Sequence, residues 1–76
     1  MTLDQEIAQH LDRLGVVPLP GGLIPETACA TLIGYAPSYL RRLAAAHAGP
    51  LRFVRRGNRR LYRLDDVRAF LTSTVE

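Results

Sequence analysis

Glycine and proline cut this chain into short pieces, and the residues beside each cut decide what the piece becomes. The breaks fall at Gly15, from Pro18 through Gly22, at Gly34, at Gly49-Pro50 and at Gly57. Neither residue type suits the interior of a helix or a sheet, so the elements must be short and must lie between the cuts. Seventy-six residues allow one small domain, near the lower limit for a core that stands alone.

The pieces differ in their hydrophobic period. Thr2 to Leu14 carries Leu3, Ile7, Leu11 and Leu14 at helical spacing, which predicts an amphipathic helix with one apolar stripe. Thr2 is placed to cap it, with Gln5 three residues on, and Gly15 to end it. Residues 15–22 read as a connector. A second helix is expected from Pro25 to Ile33, with Pro25 in its first turn and Ala28, Cys29, Leu32 and Ile33 facing inward. A third runs from about Pro37 to Ala46, with Leu40, Leu43 and Ala44 inward and Ser38, Arg41, Arg42 and Ala45 outward.

Leu51 to Leu64 alternates as a β-hairpin turning at Gly57-Asn58. Glycine first in a two-residue loop suits a type II′ turn. That register pairs Arg56 with Arg59, Arg55 with Arg60, Val54 with Leu61 and Phe53 with Tyr62. One face then holds Leu51, Phe53, Tyr62 and Leu64 as core. The other holds Arg52, Arg56, Arg59 and Arg63 around Val54 and Leu61. A fourth helix starts at Asp65 or Asp66, where a carboxylate caps the positive end of the helix dipole. Val67, Phe70 and Leu71 form its buried stripe, and residues 72–76 are expected to fray.

Charge is as unevenly distributed as the breaks. Residues 41–63 hold eight arginines (41, 42, 52, 55, 56, 59, 60 and 63) and no acid. The forty residues before them sum to −3 and the thirteen after to −2, so a formal net charge of +3 conceals a local +8. There is no lysine. Codon bias explains arginine in place of lysine, but not the segregation. A one-sign cluster of rigid guanidinium forks attracts polyanions and suits phosphates and guanine edges, which points to nucleic acid.

Other chemistries find little support. A chain 47% hydrophobic and 22% charged reads as globular. Its single cysteine, in Ala28-Cys29-Ala30, forms no internal disulfide, belongs to no zinc cluster, and reads as a buried small hydrophobe. No apolar stretch is long enough for a membrane span, and the acidic, amphipathic start does not resemble a secretory signal, so a cytoplasmic, nucleoid-associated location is expected. His10 falls on the polar face of the first helix and His47 near the end of the third, where partial positive charge is favoured. Neither belongs to a catalytic or metal-ligand pattern. Adjacent Asp65 and Asp66 diverge on a helix and cap it rather than share acid–base work. Gly21-Gly22 has neither the lysine nor the spacing of a phosphate loop. No catalytic residue, cofactor or metal site is expected.

Two short helices joined at a glycine turn form a helix-turn-helix pattern, with Ala30 four residues before Gly34 to let the helices approach and Leu40 and Leu43 to anchor the second. A basic hairpin following it gives winged-helix order. Leu23 to Leu71 accordingly resembles the small winged helix-turn-helix domains of the excisionase and MerR-like superfamily. The resemblance rests on Ala28-Cys29-Ala30-Thr31-Leu32-Ile33-Gly34, on Ser38-Tyr39-Leu40-Arg41-Arg42-Leu43, on Gly57-Asn58-Arg59-Arg60-Leu61-Tyr62-Arg63, and on Asp65-Asp66-Val67-Arg68-Ala69-Phe70-Leu71. Pro37 departs from the polar residue common in that family, and the N-terminal helix lies outside its pattern.

The resemblance implies an α+β fold: an extra amphipathic helix at 1–14, the connector at 15–22, and a winged helix-turn-helix domain at 23–76. It implies a non-catalytic protein that puts its third helix in the major groove of duplex DNA and its hairpin along the phosphates or in the adjoining minor groove. Ser38, Tyr39, Arg41, Arg42, Arg52, Arg55, Arg56, Asn58, Arg59, Arg60 and Arg63 are the expected contacts, with Tyr39 equally able to pack beside Tyr35. Within the family, a short chain suits a recombination directionality factor, which binds and bends attachment-site DNA to assist an integrase. Copies are expected to load head-to-tail, acidic flanks against a neighbour's basic middle. A small MerR-like transcriptional regulator is the alternative. A phage packaging or adaptor subunit, using the basic face for protein contacts, is another. The apolar stripe of the first helix is expected to serve a protein contact, unless it simply enlarges a small core.

Overall fold

A computed structural model describes residues 2–73 as four helices and a three-stranded antiparallel sheet, a small α+β arrangement. Helix α1 spans Leu3–Leu14 and begins with the capping box its sequence predicts. The Gln5 amide donates to the Thr2 hydroxyl at 3.2 Å, and the Thr2 amide donates to Gln5 Oε1 at 3.0 Å. At the other end Gly15 turns left-handed (φ 71°), its amide donating to the Asp12 carbonyl and that of Val16 to Leu11. The stripe is buried in its middle only. Ile7 and Leu11 are 7% and 3% exposed and belong to the main core, Leu3 is half-buried, and Leu14 stays 45% exposed. The helix is therefore a structural part of the domain, tied to it also by Arg68 Nε donating to Asp4 at 2.8 Å.

The connector occupies residues 15–22, as expected. Gly21 and Gly22 take left-handed φ of 91° and 72°, which lets the chain double back so that Leu19 bridges Leu23. Strand β1, Leu23–Pro25, follows at once. The sequence reading missed this strand and gave Pro25 to the second helix. Pro25 is instead extended (φ −63°, ψ 157°), ending the strand and standing as N-cap of α2, Glu26–Ile33. Proline's fixed φ fits both conformations, and β1 lies at the sheet edge, where a missing amide is tolerated.

Ala28, Cys29, Ala30 and Ile33 of α2 are buried, and Leu32 is half-buried. The helix ends at Gly34 (φ 82°), and the Tyr35 amide donates to the Ala30 carbonyl at 2.9 Å. Helix α3, Pro37–Ala45, starts with Pro37 in its first turn and lacks a side-chain cap. Leu40 and Ala44 anchor it at 0% and 2% exposure; Leu43 is only half-buried.

The hairpin is formed by β2, Val54–Arg56, and β3, Arg59–Arg63. The expected pairs Val54–Leu61, Arg55–Arg60 and Arg56–Arg59 are present. Gly57 has φ 61° and Asn58 does not share its positive φ, the combination that separates a type II′ turn from type I′. Central β3 also pairs with β1, setting Leu23 beside Arg63, Ile24 beside Tyr62 and Pro25 beside Leu61. Ile24 and Tyr62, both 0% exposed, share the inner face and pack with Ile7, Leu11, Cys29, Leu40 and Val67. Burying such side chains contributes roughly 1.5–3 kcal/mol each. On the outer face Leu61 is only 2% exposed, because β1 adds Leu23 and Pro25 beside it.

Helix α4, Leu64–Ser73, starts one residue before the expected aspartates and buries Val67, with Phe70 and Leu71 packed on the core. Thr72 and Ser73, expected to fray, are helical; the rest of that expectation, on residues 74–76, lies outside the described residues. Among the described residues, no helix is long and apolar enough to cross a membrane.

Candidate nucleic-acid interface

Anchoring α3 through Leu40 and Ala44 turns Ser38, Tyr39, Arg41 and Arg42 outward, and all four are exposed. Tyr39 has both fates open to it. It lies against Tyr35 with ring centroids 5.6 Å apart and carries the Arg42 guanidinium 5.8 Å over its ring, yet remains 46% exposed. Tyr35 in turn meets the edge of Phe70 at 6.3 Å, so the outer edge of α3 is braced against α4 by rings.

The hairpin brings its tip to the same place. Arg41 of α3 and Asn58, Arg59 and Arg60 of the hairpin line one cleft of about 320 Å³, whose remaining walls are Pro25, Glu26 and Thr27 at the start of α2. Residues widely separated in sequence thus converge on one concave surface. Not all the arginines share it. Arg52 and Arg63 line a separate cleft of about 220 Å³ with Phe53, Val54 and Asp66. Arg55 and Arg56 are exposed on edge strand β2.

Arg60 differs in kind from the others. Its side chain is 23% exposed, its guanidinium lies 3.6 Å from Glu26 Oε1 and 5.5 Å over the Phe53 ring, and its Nε is buried without a partner. The sequence grouped it with the exposed contacts; the fold turns it inward, because it lies on the Tyr62 face of β3.

Glu26 is the residue that sequence reasoning passed over. Its carboxylate is 14% exposed and accepts the Tyr62 hydroxyl at Oε2 over 2.9 Å while Oε1 faces Arg60. One side chain at the α2 terminus thereby clamps the hairpin to the helical pair, and the only acid among the described residues lining the cleft is occupied from within. Burial, and then the bond to Glu26, push the Tyr62 phenol far above its ordinary value. Burial also raises the Cys29 thiol to about 12, which keeps it protonated and unreactive at neutral pH.

His10 departs from expectation, whereas His47 lies at the end of α3 as expected. His10 is half-buried, with Nε2 enclosed and unpartnered, rather than on a polar face. His47 adopts φ 55°, the only positive φ outside glycine among the described residues. Its amide donates to the Ala44 carbonyl and that of Ala48 to Leu43, the same helix ending glycine makes at α1 and α2. The imidazole stacks on Phe53 at 6.4 Å. Among the described residues no three histidine, cysteine, aspartate or glutamate side chains gather to hold a metal.

No family model, curated protein or solved structure matches the chain.

Proposed function

We propose that this protein is a non-catalytic winged helix-turn-helix protein that binds duplex DNA, with α3 in the major groove and the β2–β3 hairpin as the wing. One observation carries the reading. Arg41 on α3 and Asn58 and Arg59 at the hairpin tip line one cleft, and its only carboxylate is already engaged by Tyr62 and Arg60. An anionic strand meets donors from two elements there and no uncompensated acid. On this reading Ser38, Tyr39, Arg41 and Arg42 face base edges and nearby phosphates. Arg55, Arg56, Asn58 and Arg59 hold the backbone, and Arg60 supports the wing from behind. Within the excisionase and MerR-like superfamily that these residues resemble, the role proposed is a recombination directionality factor acting with an integrase, with a small transcriptional regulator as the alternative.

The test is titration of duplex DNA at several salt concentrations, followed by binding-site selection on variants. With about five phosphate contacts, log affinity falls against log salt with a slope of roughly −4 to −5. Arg41→Ala and Arg42→Ala change the selected sequence; Arg56→Ala and Arg59→Ala weaken all sequences alike. A slope near zero refutes DNA binding. A selected sequence that changes with the wing variants alone reverses the roles.

A further inference from the structure

An apolar groove lies between α1, the connector and α4. Ile7, Ala8, Leu11, Val16 and Leu64 form the apolar lining of a groove of about 370 Å³, with Asp4, Asp12 and Arg68 among its other walls and Val17 and Pro18 along the connector. Val17 is 84% exposed. Leu14 and Leu19, three and two residues from it, are 45% and 43% exposed. Thus three of the four large hydrophobic side chains exposed among the described residues crowd one short stretch; the fourth, Tyr39, is on α3. Scattered exposed apolar residues need no explanation, but a cluster beside an apolar groove marks a contact site. A small-molecule pocket encloses most of its ligand's surface. Here the valine beside the groove stands almost wholly in water, which suits a protein segment laid across it.

Charge selects the segment. The charged side chains on the groove are Asp4, Asp12 and Arg68. Arg68 is engaged by Asp4 and Asp65, while Asp12 has no ion-pair partner among the described residues. Two copies of this face set against each other bring no free cation to Asp12, because each Arg68 is already engaged. The basic hairpin of a second copy has the right charge but nothing to fill the groove, since its tip is Arg56-Gly57-Asn58-Arg59.

We propose that the α1–α4 groove is a docking site for a different protein, through an amphipathic segment that buries aliphatic side chains in the groove and sets lysine or arginine against Asp12. This goes beyond the DNA-binding reading and does not depend on it.

The experiment uses the full chain and three 14-residue helical peptides that share one leucine stripe and carry lysine, glutamine or glutamate at the flanking positions. Amide shifts of the ¹⁵N-labelled protein report binding. The lysine peptide is expected to bind tightest, the glutamate peptide weakest, with shifts confined to α1, residues 15–18 and the start of α4. Val17→Ser weakens the lysine peptide about tenfold or more, roughly what returning a buried valine side chain to water costs, and Asp12→Lys weakens the lysine peptide and strengthens the glutamate peptide. Both positions are exposed, so neither variant threatens the fold, and unchanged affinity for duplex DNA separates this site from the basic surface. Three results overturn the proposal: no binding by any peptide, affinities independent of peptide charge, or shifts outside the groove. Self-association that Val17→Ser abolishes also overturns it, by assigning the groove to a second copy.

Discussion

Replacing Glu26 by alanine should damage this fold far more than loss of one acid from a basic protein suggests. Two groups lose their partner together. The Tyr62 hydroxyl belongs to a residue 0% exposed and has only the Glu26 carboxylate, at 2.9 Å. Leaving such a donor unpaired costs about 1–3 kcal/mol. The Arg60 guanidinium loses its counter-charge; its side chain is 23% exposed, so solvent screens part of the loss, and about 1 kcal/mol is a fair share. Glu26→Ala should therefore cost about 2–4 kcal/mol, and a domain of this size loses on the order of 15 °C in Tm for that change. Glu26→Gln separates the contributions, since its amide oxygen still accepts from Tyr62 while the charge is gone, leaving a cost of about 1 kcal/mol. Adding Tyr62→Phe to Glu26→Ala removes the orphaned hydroxyl and should restore part of the stability. Urea unfolding of the four proteins gives the comparison. If Glu26→Ala lies within about 0.5 kcal/mol of wild type, or matches Glu26→Gln, the clamp has no energetic role, on the scale set by ordinary surface substitutions.

His47→Gly should stabilise the protein by about 0.5–1 kcal/mol in urea unfolding, because glycine takes φ 55° without strain; a loss of stability would show that stacking on Phe53 outweighs it. The Cys29 thiol, raised from 9.0 to about 12, contributes stability that is complete below about pH 9 and is lost as the pH climbs toward 12. Cys29→Ala should flatten part of the fall in Tm between pH 9 and 11, the remainder belonging to Tyr62, and an unchanged slope refutes the assignment. Arg56→Glu turns the like-charged cross-strand pair with Arg59 into an attractive one, so it should raise stability by about 0.5–1 kcal/mol at low salt while weakening DNA binding, and a stability loss in thermal melts counts against the register.

Local signals in the sequence were reliable where the physics is local. Thr2 with Gln5, Gly15 and Gly34 fixed helix ends through bonds spanning a few residues, and Gly57 fixed the hairpin register through one turn. What stayed hidden depends on distant partners. Leu23-Ile24-Pro25 is too short to show alternation, and it becomes a strand only because β3 is there to pair with it. Leu14 continues a helical stripe that the core is too narrow to cover. His10 is enclosed by the fold although its place on the first helix reads as polar. Glu26 was legible in one respect: it is the only acid between Asp12 and Asp65. A lone carboxylate at the edge of a long basic region is more informative than another arginine within it, because it must either repel the anion the region attracts or be engaged by the protein itself.

That second outcome changes what the arginine cluster means. A run of eight reads as one surface of charge +8, but folding divides it. Arg60 is turned against Glu26 and Phe53 and supports the hairpin. Arg52 and Arg63 lie in a cleft with Asp66, where the start of α4 supplies opposing charge. Arg55 and Arg56 stand on β2, an open sheet edge, and charged side chains on such an edge discourage pairing with another chain whether or not a ligand is present. Pro25 serves the opposite edge by having no amide to offer. With Arg42 laid over the Tyr39 ring, the arginines left without a structural duty of this kind are Arg41 and Arg59, one on α3 and one at the hairpin tip, and they meet on a single cleft. Convergence after the structural roles are removed is a stronger argument for an anion-binding surface than charge density along the chain, because density is equally satisfied by edge protection and internal ion pairs.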